Sequence, residues 1–216
     1  MPDTALLLDH IRLGTRPLIV CDIDEVVLEF ITPLKAFLRA NGYDFIARAY
    51  KLKGNIISVT DGTEIEQAQI SDLLENFFLS QHDWQTPAEH AVETLHSLAD
   101  EADIVFLTAM APRHQAVRRA LLDSFDLPFP LVATEDAKGP VVDRLHNRRA
   151  LPVAFLDDIE RNHLSVQTHV PDCLLVSLMA NQELRALAPA LGDGIQMATG
   201  WTHAAELLRA HMAAKA

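Results

Sequence analysis

Apolar residues fall into two arrangements along this chain. The first is a set of short unbroken runs: Leu18-Ile19-Val20-Cys21, Ile104-Val105-Phe106-Leu107, Leu131-Val132-Ala133, Val153-Ala154-Phe155-Leu156 and Cys173-Leu174-Leu175-Val176. Strands buried on both faces of a parallel sheet read this way. The runs predict strands over 18–23, 103–108, 131–133, 153–157 and 173–178. The second arrangement has helical spacing. Ile65, Ile70, Leu73, Leu74, Phe77 and Phe78 share one face of a helix that a Thr63-x-x-Glu66 capping box opens and that runs toward Leu79. Thr86-Pro87-Ala88-Glu89 predicts another helix start, with Thr86 as cap and Pro87 in the first turn, ending near Ala99. Further helices are expected over 4–13, 33–40, 114–124, 140–148, 161–168 and 202–213. Residues 43–61 carry no pattern that assigns them.

From residue 103 onward strands and helices alternate. That order implies an α/β fold, a parallel sheet covered by helices on both faces. The expected organisation is a core of residues 1–29 and 85–216, with a small, mainly helical insert of residues 30–84 after the first strand.

Ligands in open α/β sheets sit outside the carboxyl ends of the strands. Here those ends carry Asp22 and Asp24, Thr108, and Asp157 with Asp158. Lys138 stands just ahead of a helix expected to begin near Pro140, where a cation is disfavoured by the helix dipole and so asks for a reason. A carboxylate such as Asp22 can attack phosphorus, and a second acid such as Asp24 can protonate a leaving oxygen and then activate water. Asp22 and Asp157, with the Asp24 carbonyl, suit magnesium, which takes oxygen ligands. Thr108 and Lys138 suit a phosphoryl group. Each feature has a plainer reading: a solvated turn for Asp22-Ile23-Asp24, a helix cap for Asp158 or Thr108, a surface lysine for Lys138.

Composition narrows the picture. The net charge is −12, with no basic stripe, which argues against a nucleic-acid polymer and requires local compensation at any phosphate site. No apolar run approaches the roughly 20 residues that span a bilayer. The first residues lack the pattern of a secretory signal, so the expected compartment is the cytoplasm. Cys21 and Cys173 are expected as buried free thiols, without zinc-site spacing. Arg48, Tyr50, Lys51, Lys53 and Asn55 in the insert are candidates for substrate specificity, Lys51 and Lys53 for an anionic substrate tail, against the plainer reading of a solvated edge.

Taken in order, Asp22-Ile23-Asp24-Glu25-Val26, Thr108, Lys138 and Phe155-Leu156-Asp157-Asp158 resemble the four motifs of the haloacid dehalogenase superfamily, in its phosphatase branch. The resemblance implies a Rossmann-like core with a helical cap that closes over the site. It implies Asp22 as nucleophile, Asp24 as acid and base, and Thr108 and Lys138 as phosphoryl ligands. Magnesium would be held by Asp22, Asp157 and the Asp24 backbone, with Asp158 as an outer partner. The substrate would be a small phosphorylated metabolite. One residue departs from the pattern: Glu25 stands where the family usually has glycine. That departure favours the alternative of a phospholigand-binding or regulatory protein on the same fold; a phosphotransferase is a further alternative.

Overall fold

A computed structural model describes residues 8–214. Part of the helix expected over 4–13 lies outside them, and residues 11–14 have no regular structure. The apolar runs form the expected sheet. Its strands are β1 (Leu18–Cys21), β4 (Asp103–Thr108), β5 (Leu131–Ala133), β6 (Val153–Asp157), β7 (Leu174–Ser177) and β8 (Ile195–Met197). They are parallel, in the order β5-β4-β1-β6-β7-β8. β8 was not expected from the sequence: it is a partly exposed edge strand and lacks an unbroken apolar run.

Alternation along β1 divides the core. Ile19 and Cys21 face a layer that includes α3 (Ala91–Ala99), α4 (Gln115–Ser124) and α8 (Trp201–Ala214). Leu18 and Val20 face α5 (Lys138–His146) and α6 (Glu160–His169). Both faces are thus apolar, which is why the strands read as continuous rather than alternating. Trp201 is buried in the first layer and donates from Nε1 to the Val26 carbonyl. No helix among the described residues is long and apolar enough to cross a membrane.

The insert contains α1 (Ile31–Ala40), the antiparallel pair β2 (Tyr43–Phe45) and β3 (Ile56–Ser58), and α2 (Gln67–Leu79). The unassigned residues 43–61 therefore hold a small hairpin. Phe37, Phe45, Ile56, Ile70 and Phe77 form an apolar cluster that also takes in Met179 and Leu184 from the segment after β7.

Two helix starts differ from expectation. α2 is capped by Glu66 with Gln69, a capping box three residues later than the one expected from Thr63. Thr63 instead bonds Asp61 Oδ1 in a turn around Gly62, which has φ 71°. α3 begins at Ala91, after His90 in a left-handed conformation, and not after Thr86. Residues 86–88 run beside residues 27–29, through Glu29 N–H to Thr86 O and Ala88 N–H to Val27 O. The two chain crossings between insert and core thus satisfy each other's backbone groups, a demand that outweighs the cap pattern.

Candidate active site

β1 lies between β4 and β6, with Cys21 opposite Leu156. The next residues, Asp22 and Asp157, therefore emerge side by side. Lys138, the first residue of α5, fills the space between them. Its Nζ donates to Asp22 Oδ1 at 2.8 Å and to Asp157 Oδ2 at 2.7 Å. All three side chains are buried. Gly139 makes this placement possible. A Cβ there would fall 2.2 Å from the Ser165 carbonyl oxygen on α6 and 2.6 Å from His169 Nδ1. Any side chain would push α5 off α6 and drag Lys138 with it.

Asp157 is the better satisfied carboxylate. Its oxygens accept from Lys138, from the Ile159 N–H at 2.8 Å and from Asn162 Nδ2 at 3.0 Å. His163, its ring held low in basicity by burial, contacts the Asp157 carbonyl. Asp158 turns toward the insert, where the Tyr50 hydroxyl lies 3.1 Å from its Oδ2 and 3.0 Å from its carbonyl oxygen. One oxygen each from Asp22, Asp157 and Asp158 lies within 4.8 Å of the others, so the trio can hold a metal ion.

The electrostatics follow from three carboxylates around one ammonium. Burial pushes Asp22 up to about 7, with Lys138 opposing and Asp157 and Asp24 adding to the rise. Asp158 is raised by burial, then by Asp157 and Asp22. Burial disfavours the Lys138 cation, yet Asp157 and Asp22 outweigh it and raise Lys138 above its ordinary value. A further cation would relieve this set.

Asp24 is turned elsewhere. Its carboxylate accepts from Arg118 Nη2 at 2.9 and 3.2 Å and from Gln85 Nε2 at 2.9 Å. Arg118 lies on α4 and is fully buried; its Nη2 also contacts Gln85 Oε1, and its Nε and Nη1 have no hydrogen-bond partner among the described residues. Neither Arg118 nor Gln85 was expected from the sequence. Arg118 did carry a signal, since it sits on the buried stripe with Leu121 and Leu122. Asn162 was missed as well, since nothing in its local pattern marks it; Tyr50 was noted among the insert residues, but not as a partner of Asp158.

Thr108 ends β4, beside β1, and is buried. Its Oγ1 accepts from the Met110 N–H at 3.3 Å, which shapes the loop before α4. No side-chain hydrogen bond joins it to Asp22, Lys138 or Asp157 among the described residues. Lys51 and Lys53 are exposed, and Asn55 is buried with its amide on the carbonyls of Ala49 and Lys51. The insert residue that reaches the cluster is Tyr50.

Glu25 has φ 68°, the left-handed conformation that glycine adopts freely. Its side chain compensates. Oε2 accepts from the N–H groups of Ile31 and Phe30 at the start of α1, and Oε1 accepts from the Asn181 N–H. The carboxylate is thus bound to backbone donors that tie the entry of the insert to the loop after β7.

The fold has many solved counterparts. A haloacid dehalogenase-like hydrolase from Streptococcus pneumoniae aligns with TM-score 0.57 at 11% identity, over 91% of this chain and 98% of that one. A predicted phosphoglycolate phosphatase from Haemophilus somnus aligns at 0.55 with 13% identity, over 92% and 99%. This chain has the haloacid dehalogenase-like fold. An L-2-haloacid dehalogenase from Xanthobacter autotrophicus, solved with chloropropionic acid covalently bound, aligns at 0.54 with 14% identity, over 89% and 98%. No protein-family model matches the chain, and no curated protein matches it in sequence. On this fold Asp22 occupies the tip of the central strand, and the insert follows that strand directly.

Proposed function

We propose that the protein is a magnesium-dependent hydrolase of a small phosphomonoester, acting through a phosphoryl group carried on Asp22. The observation that carries this reading is the trio Asp22, Asp157 and Asp158 around Lys138. Two buried carboxylates and a partly buried third, with one ammonium, suit a divalent cation and a phosphate far better than an uncharged substrate. A halide leaving group makes no such demand, so the carboxylate trio favours phosphate chemistry over the dehalogenation named for one structural counterpart. Residues 30–84 serve as a cap, with Tyr50 as its contact to the cluster. The compartment is the cytoplasm, where a buried thiol such as Cys21 stays reduced.

In this reading Asp22 attacks phosphorus in line with the leaving oxygen, forming an acyl phosphate that water then cleaves. Lys138 holds Asp22 against β6 and balances charge on the phosphoryl oxygens. Thr108 contributes a hydroxyl from the neighbouring strand. Asp24 gives a proton to the departing alkoxide and takes one from the incoming water; Arg118 and Gln85 hold its carboxylate in place. The magnesium site draws on Asp22, on the Asp24 carbonyl and on the acidic pair after β6. Asp157 is already bound by Lys138, Asn162 and a backbone N–H, so Asp158 is the better direct ligand and Asp157 the anchor of Lys138. When bound, the metal neutralises the crowded carboxylates and polarises the phosphoryl group.

The rival reading, a phospholigand-binding protein, drew on Glu25. That carboxylate is committed to backbone donors, so the feature loses its force. The deciding experiment is hydrolysis of 4-nitrophenyl phosphate with magnesium. Asp22→Asn is expected to lower kcat by at least about 1000-fold. Retained turnover would remove Asp22 as nucleophile.

A further inference from the structure

A cavity of about 360 Å³ opens against the acidic cluster. Asp158 belongs to both: it lines the cavity, and one of its oxygens lies within 4.8 Å of oxygens of Asp22 and Asp157. The cavity lies over the carboxyl ends of β7 and β8, with Ser177 and Met197 in its wall, and Tyr50 of the insert lines it too. This is the position where open α/β sheets take their ligands. The volume is at the small end for ligand sites.

The wall is mostly apolar, from Met179, Ala188, Leu191 and Met197. It contains one cation, Arg185, the last residue of α7 (Gln182–Arg185). Arg185 is half-buried and makes no ion pair with any described carboxylate. One Nη2 bond to the Ala198 carbonyl, at 2.6 Å, is the only hydrogen bond of its guanidinium among the described residues. Burial alone lowers its basicity, and no neighbouring acid offsets that. A guanidinium carries five N–H donors in a planar fork that matches a carboxylate. The acids lining the same cavity are already engaged: Glu160 accepts from the Gly192 N–H and Asp158 from Tyr50.

We infer that this cavity receives the leaving group of the substrate, and that the leaving group ends in a carboxylate held by Arg185. The substrate class is then a phosphomonoester of a short hydroxy acid: phosphate at the Asp22 end, a few methylenes along the methionines, carboxylate at Arg185. The inference rests on the phosphatase reading and sharpens it. It assigns specificity to the segment between β7 and β8, and not to the insert lysines.

The test pairs two inert ligands, 5-phosphonopentanoate and pentylphosphonate, which differ by the carboxylate. Calorimetric titration in the presence of magnesium is expected to show the carboxylated ligand binding about 10- to 100-fold more tightly. Arg185→Met should bring that ratio to about one, and Arg185→Lys should keep part of it, because a point charge replaces the fork. Equal affinities in the unaltered protein, or no binding of either ligand, overturns the inference. So does a preference that survives Arg185→Met. If that variant fails to fold, the ratio in the unaltered protein and in Arg185→Lys decides. Turnover of 4-nitrophenyl phosphate reports on the other reading separately. Turnover with a ratio of one overturns the carboxylate site and leaves the phosphatase standing; a large ratio without turnover of any ester keeps the site and overturns the hydrolase.

Discussion

Asp22 and Asp24 stand two residues apart on one rim, yet their surroundings are built on opposite plans. Around Asp22, three carboxylates crowd together near one lysine, which bonds two of them; Asp22 and Asp157 are buried and Asp158 partly so. Around Asp24, one carboxylate meets one arginine and a glutamine amide, and the arginine has donors to spare. The first network is short of positive charge; the second is balanced in charge and rich in donors. A set short of positive charge is a place for a cation to enter. A balanced pair holds a side chain still. Under the proposed function, the contrast puts the metal and the attacking group on one side of the rim and proton handling on the other. It also explains why two aspartates so close in sequence need not compete for one role.

Removing the lysine should break the first network most severely. Lys138→Met leaves Asp22 and Asp157 buried without their cation, and breaking a buried pair in this way costs about 3–5 kcal/mol. Urea denaturation of the metal-free protein measures the loss, and phosphatase turnover should vanish with it. A small loss would mean that the acids lose their charge as readily as they lose the lysine, and the charge shortage would not be what organises the site.

A subtler probe of the same network is pH. Asp22 is raised from 3.8 to about 7. For a group raised on folding, the protonated form is the one the fold favours. The contribution is therefore fully present below pH 4 and is lost as pH rises through about 7. Metal-free protein should lose stability across that window, by on the order of 1–4 kcal/mol. Asp22→Asn should flatten the profile, and saturating magnesium should do the same. Denaturant midpoints at pH 4, 5.5 and 7.5 provide the check. A flat profile in the unaltered protein would show that Lys138 compensates Asp22 completely.

The two networks also differ in how far the sequence discloses them. Asp22, Asp157 and their neighbours stand at the ends of apolar runs, and a run buried on both faces declares its own direction and its carboxyl end. Lys138 declares itself by standing where a helix dipole disfavours it, although the helix starts at Lys138 and not two residues later. Arg118 is different. It lies in Arg118-Arg119, a polar pair on a polar helix, and only its spacing to Leu121 and Leu122 separates it from its surface-facing neighbour. Its partner Gln85 sits in the return crossing from the insert, where Thr86-Pro87 suggests a helix start that the chain places at Ala91 instead. Tyr50 was noted in the insert, but its bond to Asp158 depends on a hairpin of three-residue strands, too short for any period to show. Glu25 looks like an extra charge in the site; its role depends on a backbone angle and on donors at Ile31 and Asn181 that only the folded chain brings together. Local pattern thus finds residues whose role follows from the end of one element. It misses those defined by a meeting of three.

The balanced network should tolerate damage better, and this is the sharpest test of the comparison. Arg118→Met removes a fully buried guanidinium whose Nε and Nη1 lack hydrogen-bond partners among the described residues, so part of what is lost is itself unfavourable. The Asp24 side chain is 19% exposed and keeps Gln85 as a donor, so water can replace the arginine. The expected loss is about 1–3 kcal/mol, smaller than for Lys138→Met. Catalysis should suffer in its own way. A carboxylate freed from its clamp samples more rotamers, so kcat should fall by about 10- to 100-fold while KM changes little. Steady-state kinetics and urea denaturation on one preparation separate the two effects. Equal stability losses for Lys138→Met and Arg118→Met would erase the distinction, because the Asp24 pocket would then be as dry and as dependent on its cation as the metal side. A rise in KM with kcat unchanged would put Arg118 among the substrate-binding groups and release Asp24 from the role of proton carrier.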